Sequence, residues 1–231
     1  MNGIHDGHRE RLRRQFLTEG FQESVPPHKL LEMLLFYAIP RKDTNETAHL
    51  LIEKFGSFSG VFDASVQDLI TVPGITEYSA CLLKLIMPIA RKYLNDKECG
   101  TVCSVANRNE AGKYMLQKFV GLTVETIFLL CLDNRGKVLA CVKLAEGDEI
   151  SVCVSARTVV EQVLKTHATA VVIAHNHPRG FAFPSSGDVR VTTEISAALY
   201  HIGVQFIDHI IVAEGDYISM AQSEEYKNLF Y

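Results

Sequence analysis

The segment from Ala170 to Asp188 constrains this chain more than any other. Ala170-Val171-Val172-Ile173-Ala174 is an uninterrupted apolar run, the pattern of a strand buried on both faces. His175 and His177 follow, two residues apart, where the run gives out. Residues at i and i+2 of an extended chain point to one side, so both imidazoles can face the same point. A loop carrying Gly180 and Pro184 then leads to Ser185 and Asp188, which open the next helical pattern. Neutral imidazole and carboxylate are ligands that a divalent transition metal such as zinc accepts. Three protein ligands that leave a fourth position to water make a catalytic zinc site rather than a closed structural one. Each part also has a plainer reading. His-x-His recurs by chance, and Ser185-x-x-Asp188 is first a helix N-cap with an acid at its third helical position. The readings are compatible, because a capped helix start holds an aspartate rigidly beside the strand end, near the positive end of the helix dipole.

The joint spacing is more specific than its parts. His-x-His, seven residues, Ser, two residues, Asp resembles the metal-binding signature of the JAMM (MPN+) metalloproteases. His175-Asn176-His177-Pro178 within it resembles the RadC-like bacterial branch. The resemblance implies one Zn²⁺ per chain, held by His175, His177 and Asp188, and cleavage of peptide or isopeptide bonds in a protein or peptide substrate. It also implies a glutamate at the start of an early core strand that takes a proton from water and gives it to the leaving amine. Glu125 matches that position, preceding an apolar run that ends in Leu132-Asp133; without the resemblance it reads as an acid at an exposed strand end. Ser185 is implied as a donor to the oxyanion of the tetrahedral intermediate. Asp208-His209 resembles an Asp-His pair near the end of RadC-like domains and is open to two readings, support of the metal ligands or a structural role at a strand edge.

At 231 residues the chain has room for one large or two small domains, and an apolar fraction of 47% is ample for a core. No apolar run is long enough for a bilayer and no charged segment precedes an apolar one at the N-terminus, so neither a membrane span nor a signal peptide is expected. The six cysteines include no Cys-x-x-Cys pair, and reduced thiols in a cytoplasmic protein are the expectation. Residues 1–95 read as helical. The predicted helices run from His5 to Phe21, from Pro27 to Tyr37, from Asp43 or Thr44 to Phe55, from Asp63 to Ile70, and from Thr76 to Tyr93. Residues 96–102 are polar and read as a linker. From 103 to 231 the pattern is mixed, with helices over Asn107–Val120, Arg157–Lys165 and Val189–Tyr200. Strands are predicted over Thr126–Leu132, Lys137–Lys143, Ile150–Val154, Ala170–Ala174, Val204–Phe206 and His209–Val212. Alternating helix and strand predict an α/β sandwich around a mixed sheet. This agrees with the JAMM/MPN-like (deaminase-like) fold that the resemblance implies, preceded by an all-helical domain.

Val72-Pro73-Gly74-Ile75, between two helical patterns, resembles the turn of a helix-hairpin-helix. There the glycine exposes backbone N–H groups that can hold a DNA phosphate, which makes Gly74 the nucleic-acid candidate. Any helical hairpin can turn through Pro-Gly, however. Residues 1–95 carry 11 Lys and Arg against 11 Asp and Glu, a neutral balance for a module of a kind that is usually basic. Arg9, Arg11, Arg13 and Arg14 can touch phosphate or form a solvated helix face. Phe55-Gly56-Ser57 and the Pro-Gly turn also resemble the N-terminal half of RadC-like proteins, so the likeness covers nearly the whole chain.

Two departures bear on substrate choice: Arg179 stands where a small residue is usual, and Phe181 and Phe183 occupy a loop that is usually polar. Ala156-Arg157-Thr158 replaces the usual Pro-Arg-Glu. His5, His8, His28, His49, His167 and His201 have no partner at ligand spacing and read as surface or packing residues. A zinc-dependent peptidase or isopeptidase is the favoured class. The alternative is a DNA-associated accessory protein of repair or recombination with a non-catalytic zinc site. A zinc deaminase needs a Pro-Cys-x-x-Cys that the chain lacks.

Overall fold

Pro27 stands at the first turn of its helix, where its missing N–H is one the helix start leaves unpaired anyway. The computed structural model describes residues 7–21, 25–40, 42–98, 104–147, 154–178, 180–213 and 215–230. They form two compact units, Met1–Ile89 and Ala90–Tyr231. The first is helical: α1 (His8–Glu19), α2 (Pro27–Ala38), α3 (Asn45–Phe55), α4 (Phe58–Asp63), α5 (Val66–Ile70) and the start of α6 (Glu77–Glu98). The helix expected over 63–70 is the shorter α5, and α4 ahead of it was not expected, because two serines each start a helix. Ser57 Oγ accepts from the Gly60 N–H at 2.9 Å and Ser65 Oγ from that of Asp68 at 3.0 Å, with Ala64 extended between. The first residues of the expected linker, 96–98, continue α6, where Lys92 and Asp96 pair one turn apart at 2.6 Å. Residues 99–103 lie outside the described ones.

Leu31, Leu35, Ala48, Leu51, Val61, Leu69 and Leu83 make the fully buried core of this unit. Buried Glu32 is held by the His8 ring at 2.7 Å and by Asn45 Nδ2 at 3.1 Å, and His28 stacks on His49. These histidines pack, as expected of them; His5 lies outside the described residues.

The second unit begins with α7 (Arg108–Lys118) and alternates β1 (Thr126–Leu132), β2 (Val138–Glu146), α8 (Ala156–Thr166), β3 (Ala170–Asn176), α9 (Ser186–His201), β4 (Gln205–Ala213) and β5 (Asp216–Ser219). The described strands form a mixed five-stranded sheet in the order β2-β1-β3-β4-β5, in which only β3 and β4 run parallel. Helices cover both faces, which makes the α/β sandwich. Ile127, Leu129, Val171 and Ile173 pack with Val191, Ile195 and Leu199 of α9 on one side; Leu130, Val172 and Ala174 pack with Met115 of α7 on the other. Most of the strand expected over 150–154 lies outside the described residues. The strands expected over 204–206 and 209–212 are one strand interrupted by a bulge. Val171 pairs with Phe206 but Val172 with Asp208, so Ile207 is the extra residue. Arg108 Nε donates to its carbonyl at 3.0 Å.

The β1–β2 turn shows why a glycine is needed at one position. Asp133 Oδ1 accepts from the N–H groups of Arg135 and Lys137, and Gly136 sits at φ +75°, where a Cβ would lie 2.3 Å from the Val105 carbonyl oxygen. Gly136→Ala is expected to cost at least about 1–2 kcal/mol for the left-handed backbone alone. Urea denaturation checks this, and an unchanged midpoint would mean that the turn relaxes freely.

Candidate metal centre

The pleat of β3 sets His175 on the side of Val171 and Ile173, facing α9, where it is 3% exposed. The ladder to β4 continues past the strand end, with the His177 N–H donating to the Val212 carbonyl at 2.8 Å, so His177 stays on the same side. Asp188 arrives from the first turn of α9. Ser185 Oγ accepts from the Asp188 N–H at 3.2 Å and donates to Asp188 Oδ2 at 2.6 Å; the Ser185 N–H donates to the same oxygen at 2.7 Å. The capping box and the candidate ligand are therefore one structure. It leaves Oδ1 facing His175 Nε2 at 3.3 Å.

The three side chains converge. His175 Nε2 and His177 Nε2 are 3.0 Å apart, and His177 Nε2 lies 3.8 Å from Asp188 Oδ2. Metal–ligand bonds of about 2.0–2.1 Å at tetrahedral angles imply ligand separations of roughly 3.3 Å, so these spacings suit zinc. The protonation pattern suits it too. His177 Nδ1 can only donate to the Phe181 carbonyl, 2.9 Å away, which leaves a bare lone pair on Nε2 when the ring is neutral. Two imidazole nitrogens and a carboxylate facing one another could hold a cation between them. Burial works against the Asp188 charge, yet the hydrogen bond and charge of His175 and the Ser185 donors outweigh it and hold the carboxyl below the usual range.

Glu125 lies outside this group of three. It is half-buried and immediately precedes β1. Ile127 pairs with His175, and continuing that antiparallel register sets Glu125 opposite His177, on the same face. Its backbone is clamped by the residue between the two histidines. Asn176, 4% exposed, accepts from the Thr126 N–H at 2.7 Å and donates to the Val124 carbonyl at 3.2 Å, so one side chain grips both neighbours of Glu125.

Asp208 and His209 go separate ways. Asp208 is fully buried and takes hydrogen bonds from Ser219 Oγ and from the N–H of Ala221 in the short helix Met220–Gln222; burial raises its carboxyl above the ordinary range against those bonds. His209 faces His175, with Nε2 2.9 Å from His175 Nδ1 and Nδ1 2.6 Å from Thr192 Oγ1. Burial, then the neighbouring His175, pushes its pKa down to about 3. Sequence reasoning singled out His209 without settling its place and passed over Asn176 and Thr192, whose signals are those of any polar residue at an element end or on a helix. Phe181 and Phe183 are 77% and 68% exposed in the loop that follows His177; Arg179 lies outside the described residues. Gly74, at φ +89° in its Pro-Gly turn, has a packing reason to be glycine: a Cβ there would lie 2.7 Å from Thr47 Oγ1.

Comparison with known proteins places these residues in context. The family model described as the RadC-like JAB domain matches residues 105–226, which include every residue of the site. A UPF0758 protein of Fusobacterium nucleatum is 32% identical over 225 residues, 94% of this chain and 95% of its own length. One from Stenotrophomonas maltophilia is 32% identical over 222 residues, 95% and 94% of the two chains. One from Coprothermobacter proteolyticus is 29% identical over 219 residues, 93% and 92%.

Proposed function

Because the chain belongs to the RadC-like JAB-domain family, we propose that it is a zinc-dependent hydrolase that cleaves peptide or isopeptide bonds with an activated water. The observation that carries this reading is the convergence of His175 Nε2, His177 Nε2 and the Asp188 carboxylate at separations of 3.0–3.8 Å. Two rings and one acid are three protein ligands, the number typical of a catalytic rather than a structural zinc site. When bound there, zinc supplies a Lewis acid that brings the pKa of water toward neutrality.

The remaining work falls to the chain. The Phe181 carbonyl orients His177, and the α9 cap orients Asp188. Glu125, on the same face and opposite His177 by register, takes the proton of the attacking water and hands it to the leaving amine. The Ser185 hydroxyl, which donates to Asp188 Oδ2, turns toward the substrate carbonyl oxygen as charge builds there. A DNA-associated role through Gly74 draws less support, since packing on Thr47 accounts for that glycine and residues 1–95 carry no net charge.

The reading is tested by elemental analysis of protein never exposed to chelator, followed by assay on peptide and isopeptide substrates. One zinc per chain is expected, with hydrolysis abolished by chelation and restored by Zn²⁺. A metal-free folded protein, or hydrolysis indifferent to chelator, would overturn it.

A further inference from the structure

We propose that His209 and Thr192 form a buried positioning relay that sets which nitrogen of His175 is free for the metal and ties that ring to the backbone of Asp188. The inference rests on the metal-site reading above and concerns residues to which that reading gives no role. It begins with the bulge in β4. Strict alternation from Phe206, which packs in the core beneath α9, would turn His209 to the opposite face of the sheet. The extra residue Ile207 shifts the pairing by one, so His209 aligns with Ile173 and shares the face of His175. A bulge that re-aims one side chain at a site has a consequence there, and here it delivers a ring that is 1% exposed.

Proton bookkeeping along the contacts has one solution when His175 Nε2 holds a cation. That nitrogen then carries no proton, so Nδ1 does, and a buried donor requires an acceptor. His209 Nε2, 2.9 Å away, accepts it. His209 therefore carries its own proton on Nδ1 and donates it to Thr192 Oγ1 at 2.6 Å. The Thr192 hydroxyl has two acceptors beside it and gives its proton to the closer and stronger, the Asp188 carbonyl oxygen at 2.6 Å, rather than to Met220 Sδ at 3.8 Å. His209 and Thr192 each donate once and accept once, and the chain of bonds ends on the backbone of the third ligand. His175 and Asp188, 13 positions apart in sequence, are thus held by one buried chain of hydrogen bonds. His177 is held separately, by the Phe181 carbonyl.

Three variants of the full-length chain test this: His209→Leu removes the acceptor while keeping an apolar volume, His209→Gln restores an acceptor and a donor, and Thr192→Val removes only the hydroxyl. Zinc Kd is measured by competition with a chromophoric chelator, and the His175 tautomer by ¹⁵N NMR of the zinc-loaded proteins. Support of this kind is typically worth about 10–100-fold in metal affinity. His209→Leu is expected to weaken zinc binding by that amount, Thr192→Val by less, and His209→Gln to recover most of the loss. Wild type is expected to show a hydrogen-bonded Nδ1–H on His175. Wild-type affinity in folded His209→Leu and Thr192→Val, or no hydrogen-bonded Nδ1–H on zinc-loaded wild type, would overturn the relay and leave the metal site standing. Should His209→Leu not fold, Thr192→Val and the wild-type tautomer still decide. A wild type that binds no zinc overturns the site and the relay together.

Discussion

Glu125→Gln is expected to keep one zinc per chain and to lose turnover by about 10²–10⁴-fold, the usual worth of a positioned acid–base group. His177→Ala and Asp188→Ala are expected to lose metal and turnover together. The contrast follows from placement. One ligand-type atom from each of His175, His177 and Asp188 lies within 4.8 Å of the others, whereas Glu125 is outside that group, reaching the same face of the sheet from the neighbouring strand. The amide of glutamine keeps the shape of the side chain and cannot take up the water's proton. Elemental analysis and kcat on the same preparations separate the outcomes. Metal lost from Glu125→Gln would make Glu125 a ligand, and turnover unchanged with metal retained would remove it from the chemistry. Asp188→Ala also deletes the acid of the α9 capping box, so a fall in Tm accompanies its loss of metal; His177→Ala, whose side chain caps no helix, isolates the ligand effect.

Asn176→Ala is expected to act twice. The substitution leaves the buried Thr126 N–H without its partner, which costs about 1–3 kcal/mol, and takes from the Val124 carbonyl one of its two side-chain donors, the Thr126 hydroxyl remaining. It also releases the backbone on both sides of Glu125. A reacting group displaced by about 1 Å can cost on the order of 10²-fold in rate, so turnover should fall well beyond what the stability loss explains, with zinc retained. Denaturation, metal content and kcat are read on one variant. Turnover that stays at the wild-type level while stability falls would confine Asn176 to a structural role. Asn176→Asp sharpens the test, because it keeps an acceptor for Thr126 and sets a second oxygen against the Val124 carbonyl. Stability and turnover should both remain below wild type.

Much of the centre was legible in the residues themselves. His175 and His177 share a side because covalent geometry gives an extended chain a period of two, and Ser185-x-x-Asp188 makes a cap because a helix start leaves N–H groups unpaired. Apolar runs of the right length marked β1 and β3, and the Pro-Gly punctuation marked a turn that forms where expected. These are local rules. They act over a few residues and need no knowledge of the rest of the chain.

What only the tertiary structure decided is every relation between segments. The closeness of Asp188 to His175 depends on α9 packing its Val191 and Ile195 onto the face that carries His175. The placement of Glu125 depends on the β1–β3 register, and the grip of Asn176 on two backbone groups, 50 and 52 residues away, depends on it as well. Which face His209 takes, and which Asp208 takes, depends on a single extra residue in β4, which inverts the facing of everything after it. Nothing in the pattern Gln205–Ala213 announces that bulge, because it arises from pairing with β3 and is invisible to alternation along one strand. Donor chemistry is a property of residue type and spacing; convergence is a property of long-range pairing, and that is why the candidate ligands could be listed from the sequence while their convergence, and the place of His209 beside them, could not.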